Sequence, residues 1–411
     1  MKNILIITVS FCMVSTVFAD SQHSKSIHQS IVTEAYNLLK NRYIAAGGDV
    51  SDLQAFELFL REIKFGAKYE DEFDPIYYYH NIIPGGVPNG APLTHFWDGD
   101  KGEDQGYDVL LNLIDDGINL SDFVNNAWTK ARVYLFGSGT NVHGYEWWDT
   151  LGNSTYLLFY KIDSNTSLLD FYETGSVVQY DPLLNKLKRV NYYEWYYLHH
   201  PLTISLRILG HIAHLLADMS VPAHTLIDPH LPGNADSYEQ WVGNDNGNIH
   251  FLDTLTGDDG FMPYITCYDD YEALFYLFFT MNQITQHFKS DDRGGNDAVL
   301  PQYANELIIQ KLLAWGDPPN SVNKQDIANK TFDFCVGATA SLFYWFGIRT
   351  GILKTEIKLL QYEHEITNPS FTIKSTNTIT LLPGFEFEAK NEHDEFKALI
   401  LDCDQLSGQI P

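Results

Sequence analysis

The chain has 411 residues, 45% of them hydrophobic and 14% aromatic, so it can fill a large core without cysteine staples. Its formal net charge of −27 repels nucleic acid and anionic lipid at long range. Affinity for a phosphate-bearing ligand therefore requires a local positive centre, which bound metal ions supply.

Lys2, the apolar run Ile4 to Val17, and Val17-Phe18-Ala19 form a secretory leader cleaved near Ala19. The product is expected to be secreted or periplasmic. The leader is too short for a membrane span, and no later window reaches about 18 uninterrupted apolar residues. Cys12 leaves with it, and Cys267, Cys335 and Cys403 allow at most one disulfide.

Apolar residues recur at helical spacing over 27–39 and, after Gly47-Gly48, over 53–63. Residues 70–105 read as loop, broken by Pro75, Pro84-Gly85-Gly86, Pro88 and Gly90, yet they carry Asp71 and His95. Further helices are predicted over 107–115, 120–135, 202–217, 271–287, 304–313 and 326–350. Helix after helix implies a mainly α domain. Beyond about Leu353 the pattern changes to short alternating strands at 370–374, 378–382, 385–389 and 396–401, a small C-terminal β module over 354–411.

Chemistry concentrates in Leu209-Gly-His-Ile-Ala-His-Leu-Leu-Ala-Asp-Met-Ser-Val-Pro-Ala-His-Thr225. His214 and Asp218 stand at i and i+4, so a helix puts both on one face, where they can share a metal. Pro222 ends or bends that helix before His224. Burying such a polar set in an apolar helix is costly unless the groups are paired or coordinated, and imidazole and carboxylate are natural zinc ligands. His211, three residues before His214, reads as support or packing. No Gly-x-Ser-x-Gly elbow points to a serine hydrolase.

The pattern His-x3-Asp-x5-His at His214, Asp218 and His224 resembles the zinc-dependent phospholipase C family, relatives of the single-strand-specific zinc nucleases. The likeness spans about 23–347. It includes His28 in Ile-His-Gln-Ser-Ile-Val-Thr-Glu-Ala, Asp71 in Gly-Ala-Lys-Tyr-Glu-Asp-Glu-Phe-Asp-Pro, and His95 in Thr-His-Phe-Trp-Asp. The tail from Thr378 to Ala389 resembles the coathanger-stack repeats of secreted bacterial proteins.

The resemblance implies a phospholipase C/nuclease-type helical bundle over 20–353 that holds up to three zinc ions. Asp71, His95, His214 and Asp218 would bind one, with Asp71 also orienting the attacking water. Asp218 would bridge to a second ion held by His28, and His224 with Glu239 would hold a third. Two positions depart from the family. Ala235 replaces a histidine four residues before Glu239, leaving His230, Asp236 or solvent to complete that site. The N-terminal tryptophan ligand is absent, leaving His23 or the terminal amine. The expected substrate is a phospholipid or other phosphodiester, with transient membrane-surface contact and no stable nucleic-acid binding. Tyr77-Tyr-Tyr79, Trp147-Trp148 and Tyr192-Tyr-Glu-Trp-Tyr-Tyr197 could line a pocket for a choline group or a base, or simply pack a core.

Overall fold

The computed structural model describes residues 25–70, 95–103, 126–137, 142–150, 154–162, 168, 201–228, 236–244, 261–266, 268–296, 312, 314–357, 370–375 and 395–400. The leader, the expected helix at 107–115, that at 304–313 apart from Leu312, Cys267 and Cys403 lie outside these, as do Tyr77 to Tyr79 and Tyr192 to Tyr197.

The described chain is mainly helical. Helix α1 spans Lys25–Ala45, and a 3-10 turn over Val50–Leu53 leads into α2, Gln54–Tyr69. Asp49 opens the turn by accepting a hydrogen bond from the Ser51 amide at 2.8 Å. Helix α3, Ala127–Phe136, starts where Asn126 accepts from the Thr129 amide at 2.7 Å, and ends at Gly137 with φ +81°. Helix α4, Pro201–Asp218, and the short α5, Pro222–Thr225, follow. Pro222 begins α5 because its missing N–H costs nothing in a first turn.

Helix α6 covers Ser237–Asn244, α7 Met262–Ile265, α8 Asp270–Gln286 and α9 Lys324–Arg349. A capping box of Asp269 and Glu272 starts α8. Tyr276, Phe278, Met281 and Ile284 of that helix are all buried, as are Phe332, Val336, Phe343 and Phe346 of α9. Such all-round burial places both inside the helical core.

Helix α2 packs most extensively on α4, α1 on α9 and α2, and α3 on α4. Glycines set the α2–α4 approach: a Cβ on Gly66 would lie 2.0 Å from the Arg207 carbonyl oxygen, and one on Gly210 2.1 Å from that of Ile63. Only hydrogen in place of a side chain lets these backbones come so near.

Two strand pairs accompany the helices. Strands β1, Val142–Thr150, and β2, Ser154–Ile162, pair antiparallel from Val142 with Ile162 to Thr150 with Ser154. Trp147 and Trp148 sit at positions paired with Leu157 and Tyr156. Strands β3, Ser370–Ser375, and β4, Glu395–Ile400, pair in parallel. The expected strands at 378–382 and 385–389 lie outside the described residues.

After α9 the chain stays on the helices. Leu353 and Ile357 are buried. The Tyr43 hydroxyl accepts from the Lys354 and Thr355 amides at 2.9 and 3.1 Å, and the Tyr344 hydroxyl from the Ile357 amide at 2.7 Å. No described helix is long and apolar enough to cross a membrane.

Candidate metal centre

The side chains of His28, His95, His214, Asp218, His224 and Glu239 are buried. They come from α1, the segment before the 3-10 turn Gly99–Lys101, α4, α5 and α6. Asp218 is the hub. Its Oδ2 lies 2.7 Å from His95 Nδ1 and 3.3 Å from His214 Nε2, and its Oδ1 lies 3.6 Å from His28 Nε2 and 3.9 Å from His224 Nδ1.

These distances have different meanings. At 2.7 Å the His95 contact has hydrogen-bond length, whereas 3.3 and 3.6 Å are too long for strong hydrogen bonds. They match the spacing of neighbouring donors around one tetrahedral ion, about 3.3 Å for zinc bonds of about 2.0–2.1 Å.

One donor of each of His28, His214 and Asp218 lies within 4.8 Å of the other two, so the three could hold a metal ion. The His214 tautomer fits that use. Its Nδ1 lies 2.6 Å from the Ala67 carbonyl oxygen, which can only accept, so Nδ1 carries the proton and Nε2 is left to face Asp218. His28 stacks on His214 with ring centroids 3.7 Å apart, and His95 meets His214 edge-on at 5.0 Å.

His224 Nε2 and Glu239 Oε1 pair at 3.0 Å beside this group. Asp236, one of the alternatives for completing Glu239's site, caps α6 instead, its Oδ1 accepting from the Tyr238 and Glu239 amides at 2.9 and 3.0 Å. Asp71, His230, His23 and Ala235 lie outside the described residues.

Burial alone would push the Asp218 carboxyl up, but His214, His95 and His224 outweigh it and hold the group well below the usual carboxylate range. Glu239 goes the other way, since burial raises it against the opposing pull of His224. Burial pushes the Cys335 thiol up to about 12, so in the metal-free chain it stays protonated.

Amides of α8 fix the loop and short helix that carry His95 and His224. Asn282 Nδ2 donates to the Trp97 carbonyl at 2.5 Å, and Gln286 Nε2 donates to Asp98 Oδ1 at 2.9 Å and the Thr225 carbonyl at 3.1 Å. The Trp97 amide donates to the His224 carbonyl at 3.0 Å, closing the two segments on each other.

His211 turns to Glu70: its Nδ1 lies 2.5 Å from Glu70 Oε2, the Tyr134 hydroxyl donates to the same oxygen at 2.8 Å, and Lys130 pairs with Oε1. Sequence reasoning missed Glu70, Lys130 and Tyr134. Glu70 stands in the charged run Lys68-Tyr-Glu-Asp-Glu72, where only its neighbour Asp71 matches the ligand pattern.

The fold and site thus define a chain that is mainly helical where described and has, among the described residues, one buried His/Asp group able to hold a metal ion. Comparison with family models, curated proteins and solved structures returned no match.

Proposed function

We propose that the chain is a secreted zinc-dependent phosphodiester hydrolase, of phospholipase C type in its substrate class. The observation that carries this reading is the gathering of four imidazoles around the single buried carboxylate of Asp218, with the His224–Glu239 pair alongside. Nitrogen and oxygen donors of this kind favour zinc.

His28, His214 and Asp218 would hold the first ion, with His95 beside them as a further donor. His224 and Glu239 would form a second site, to which Asp71 would add its carboxylate. Asp218 and Glu239 carry a charge of −2 against four neutral imidazoles, which balances one divalent ion. A second or third ion would require further anionic donors, Asp71 and the substrate phosphate among them. His230 or solvent completes the open position at Glu239.

Bound zinc lowers the pKa of coordinated water and offsets charge on the phosphoryl oxygens. The protein's part is geometric. Ala67 holds the His214 ring in one tautomer, α8 holds the His95 and His224 segments at fixed separation, and Glu239 Oε1 and His224 Nε2, 3.0 Å apart, would hold an ion between them. Asp71 would orient the attacking water.

The strongly acidic chain favours a lipid headgroup or a small phosphodiester over a polyanion. Contact with a membrane surface is then transient, and stable nucleic-acid binding is not expected. The test pairs zinc content with two product assays, phosphocholine from phosphatidylcholine vesicles and nucleotides from single-stranded DNA. Phosphocholine release by zinc-loaded protein is the expected result. Nucleotide release alone indicates the nuclease alternative. Full zinc with neither product indicates a zinc-stabilised binding protein, in which Ala235 and the absent N-terminal tryptophan mark lost turnover.

A further inference from the structure

Behind the candidate ligands lies a second buried polar layer. Glu70 closes the C-terminal end of α2, Lys130 and Tyr134 project from α3, and His211 stands on α4 one turn before His214. All four side chains are fully buried. Glu70 gathers the other three: Lys130 on Oε1, and Tyr134 and His211 on Oε2 at 2.8 and 2.5 Å. The Tyr134 ring also stacks on His211, centroids 5.3 Å apart and 12° from parallel.

This cluster bears on one bond. The His214 tautomer depends on the Ala67 carbonyl, one turn before Glu70 on α2. That carbonyl reaches His214 only because α2 and α4 meet backbone to backbone at Gly66 and Gly210. The Glu70–His211 bond ties the last turn of α2 to the turn of α4 that precedes His214. A second buried pair, Arg207 with Glu62 at 2.5 Å, ties the same helices further back, and Arg207 caps the Phe65 ring at 4.2 Å. The two pairs are equally buried but differ in position: His211 is three residues from His214, and Arg207 is seven.

We propose that Glu70 is a positioning residue of the metal centre, which, held by Lys130, Tyr134 and His211, sets the register of α2 on α4 and so keeps the Ala67 carbonyl on His214 Nδ1. The proposal rests on the metal-binding reading given above. Glu70 tunes affinity through the orientation of one imidazole and makes no contact with the ion. Groups of this kind typically change metal affinity about 10- to 100-fold.

Glu70→Gln alone strands the Lys130 ammonium in the core and can unfold the chain, so the informative variant is Glu70→Gln with Lys130→Met, which removes both charges together. Its control is Glu62→Gln with Arg207→Met. Zinc affinity is measured on full-length folded protein by competition with a chromophoric chelator, alongside the visible spectrum of the cobalt(II)-substituted form. The expected result is a 10- to 100-fold weaker zinc affinity and a shifted cobalt spectrum for the first variant, with the control within about twofold of wild type. Unchanged affinity in the first variant, or an equal loss in both, overturns the proposal while the metal reading stands. A wild-type chain that takes up no zinc overturns both.

Discussion

Replacing Asp218 with Asn keeps the shape of the side chain and removes the charge that four imidazoles surround. The carboxylate is 1% exposed and lies within 3.9 Å of a nitrogen from each of His28, His95, His214 and His224. With zinc at about a thousand times its dissociation constant, an ion bound only by the folded state stabilises it by about 4 kcal/mol. Unfolding entropy scales with length, so for a chain of 411 residues 1 kcal/mol moves the midpoint by only about 1.2 °C. Wild type should therefore melt about 5 °C higher in zinc than in chelator. Asp218→Asn should lose that increment, because an amide oxygen is a poor zinc ligand and its NH2 group points donors toward the imidazoles. Scanning calorimetry of both proteins with zinc and with EDTA, plus zinc per chain by mass spectrometry, reads the difference. A variant that keeps one zinc per chain and the full increment refutes the reasoning.

Other outcomes follow from the same geometry. In metal-free protein Glu239 has a raised carboxyl, so its contribution to stability is full below its unfolded value, about 4.3, and is lost as pH rises through the folded one. Glu239→Gln removes that loss, and urea titration in EDTA should find it at least as stable as wild type at pH 7; a clear destabilisation contradicts the assignment. Asp218 has the opposite sign: its depressed carboxyl contributes above its unfolded value, about 3.9, and the contribution disappears as pH falls through the folded one, so wild type should lose acid stability that Asp218→Asn never had. Gly210→Ala puts a methyl 2.1 Å from the Ile63 carbonyl oxygen and should cost at least about 1–3 kcal/mol by denaturant titration, with weaker zinc binding; wild-type stability would mean that the helices do not cross so closely. Deletion of residues after Ile357 should preserve zinc binding, whereas deletion after Leu353 should lower the melting midpoint, since Ile357 is buried and its amide reaches Tyr344; equal midpoints for the two truncations contradict that boundary.

Much of the helical frame is legible from periodicity. The reading 202–217 lies within α4, 326–350 overlaps α9 almost throughout, and 271–287 differs from α8 by one residue at each end. These helices carry long apolar patterns bounded by Asp269 and Asn323, which cap α8 and α9. Helix α2 runs six residues past the expected end at Ile63, through Gly66, which is the site of contact with α4. Glycine's backbone cost is offset by packing that only its lack of a Cβ permits. The β1–β2 pair was not anticipated, though Gly152-Asn153 between two aromatic-rich runs is a recognised hairpin signal.

Within the candidate centre, spacing places His214 and Asp218 on one helix face and Pro222 explains the turn to His224. The family resemblance adds His28, His95 and Glu239, and the structure brings all six side chains into one buried group. The partners behind them could not be read. Ala67 contributes a backbone oxygen, which no side-chain pattern reveals, and Asn282 and Gln286 are 187 and 191 residues beyond His95 in the chain, joined to its segment only by tertiary contact.

The central claim is that a metal ion sits among His28, His214 and Asp218. Diffraction from zinc-loaded crystals on both sides of the zinc absorption edge tests it most directly. The account predicts an anomalous peak about 2.0–2.2 Å from His28 Nε2, His214 Nε2 and an Asp218 oxygen. An anomalous map with no peak between those three donors would contradict it.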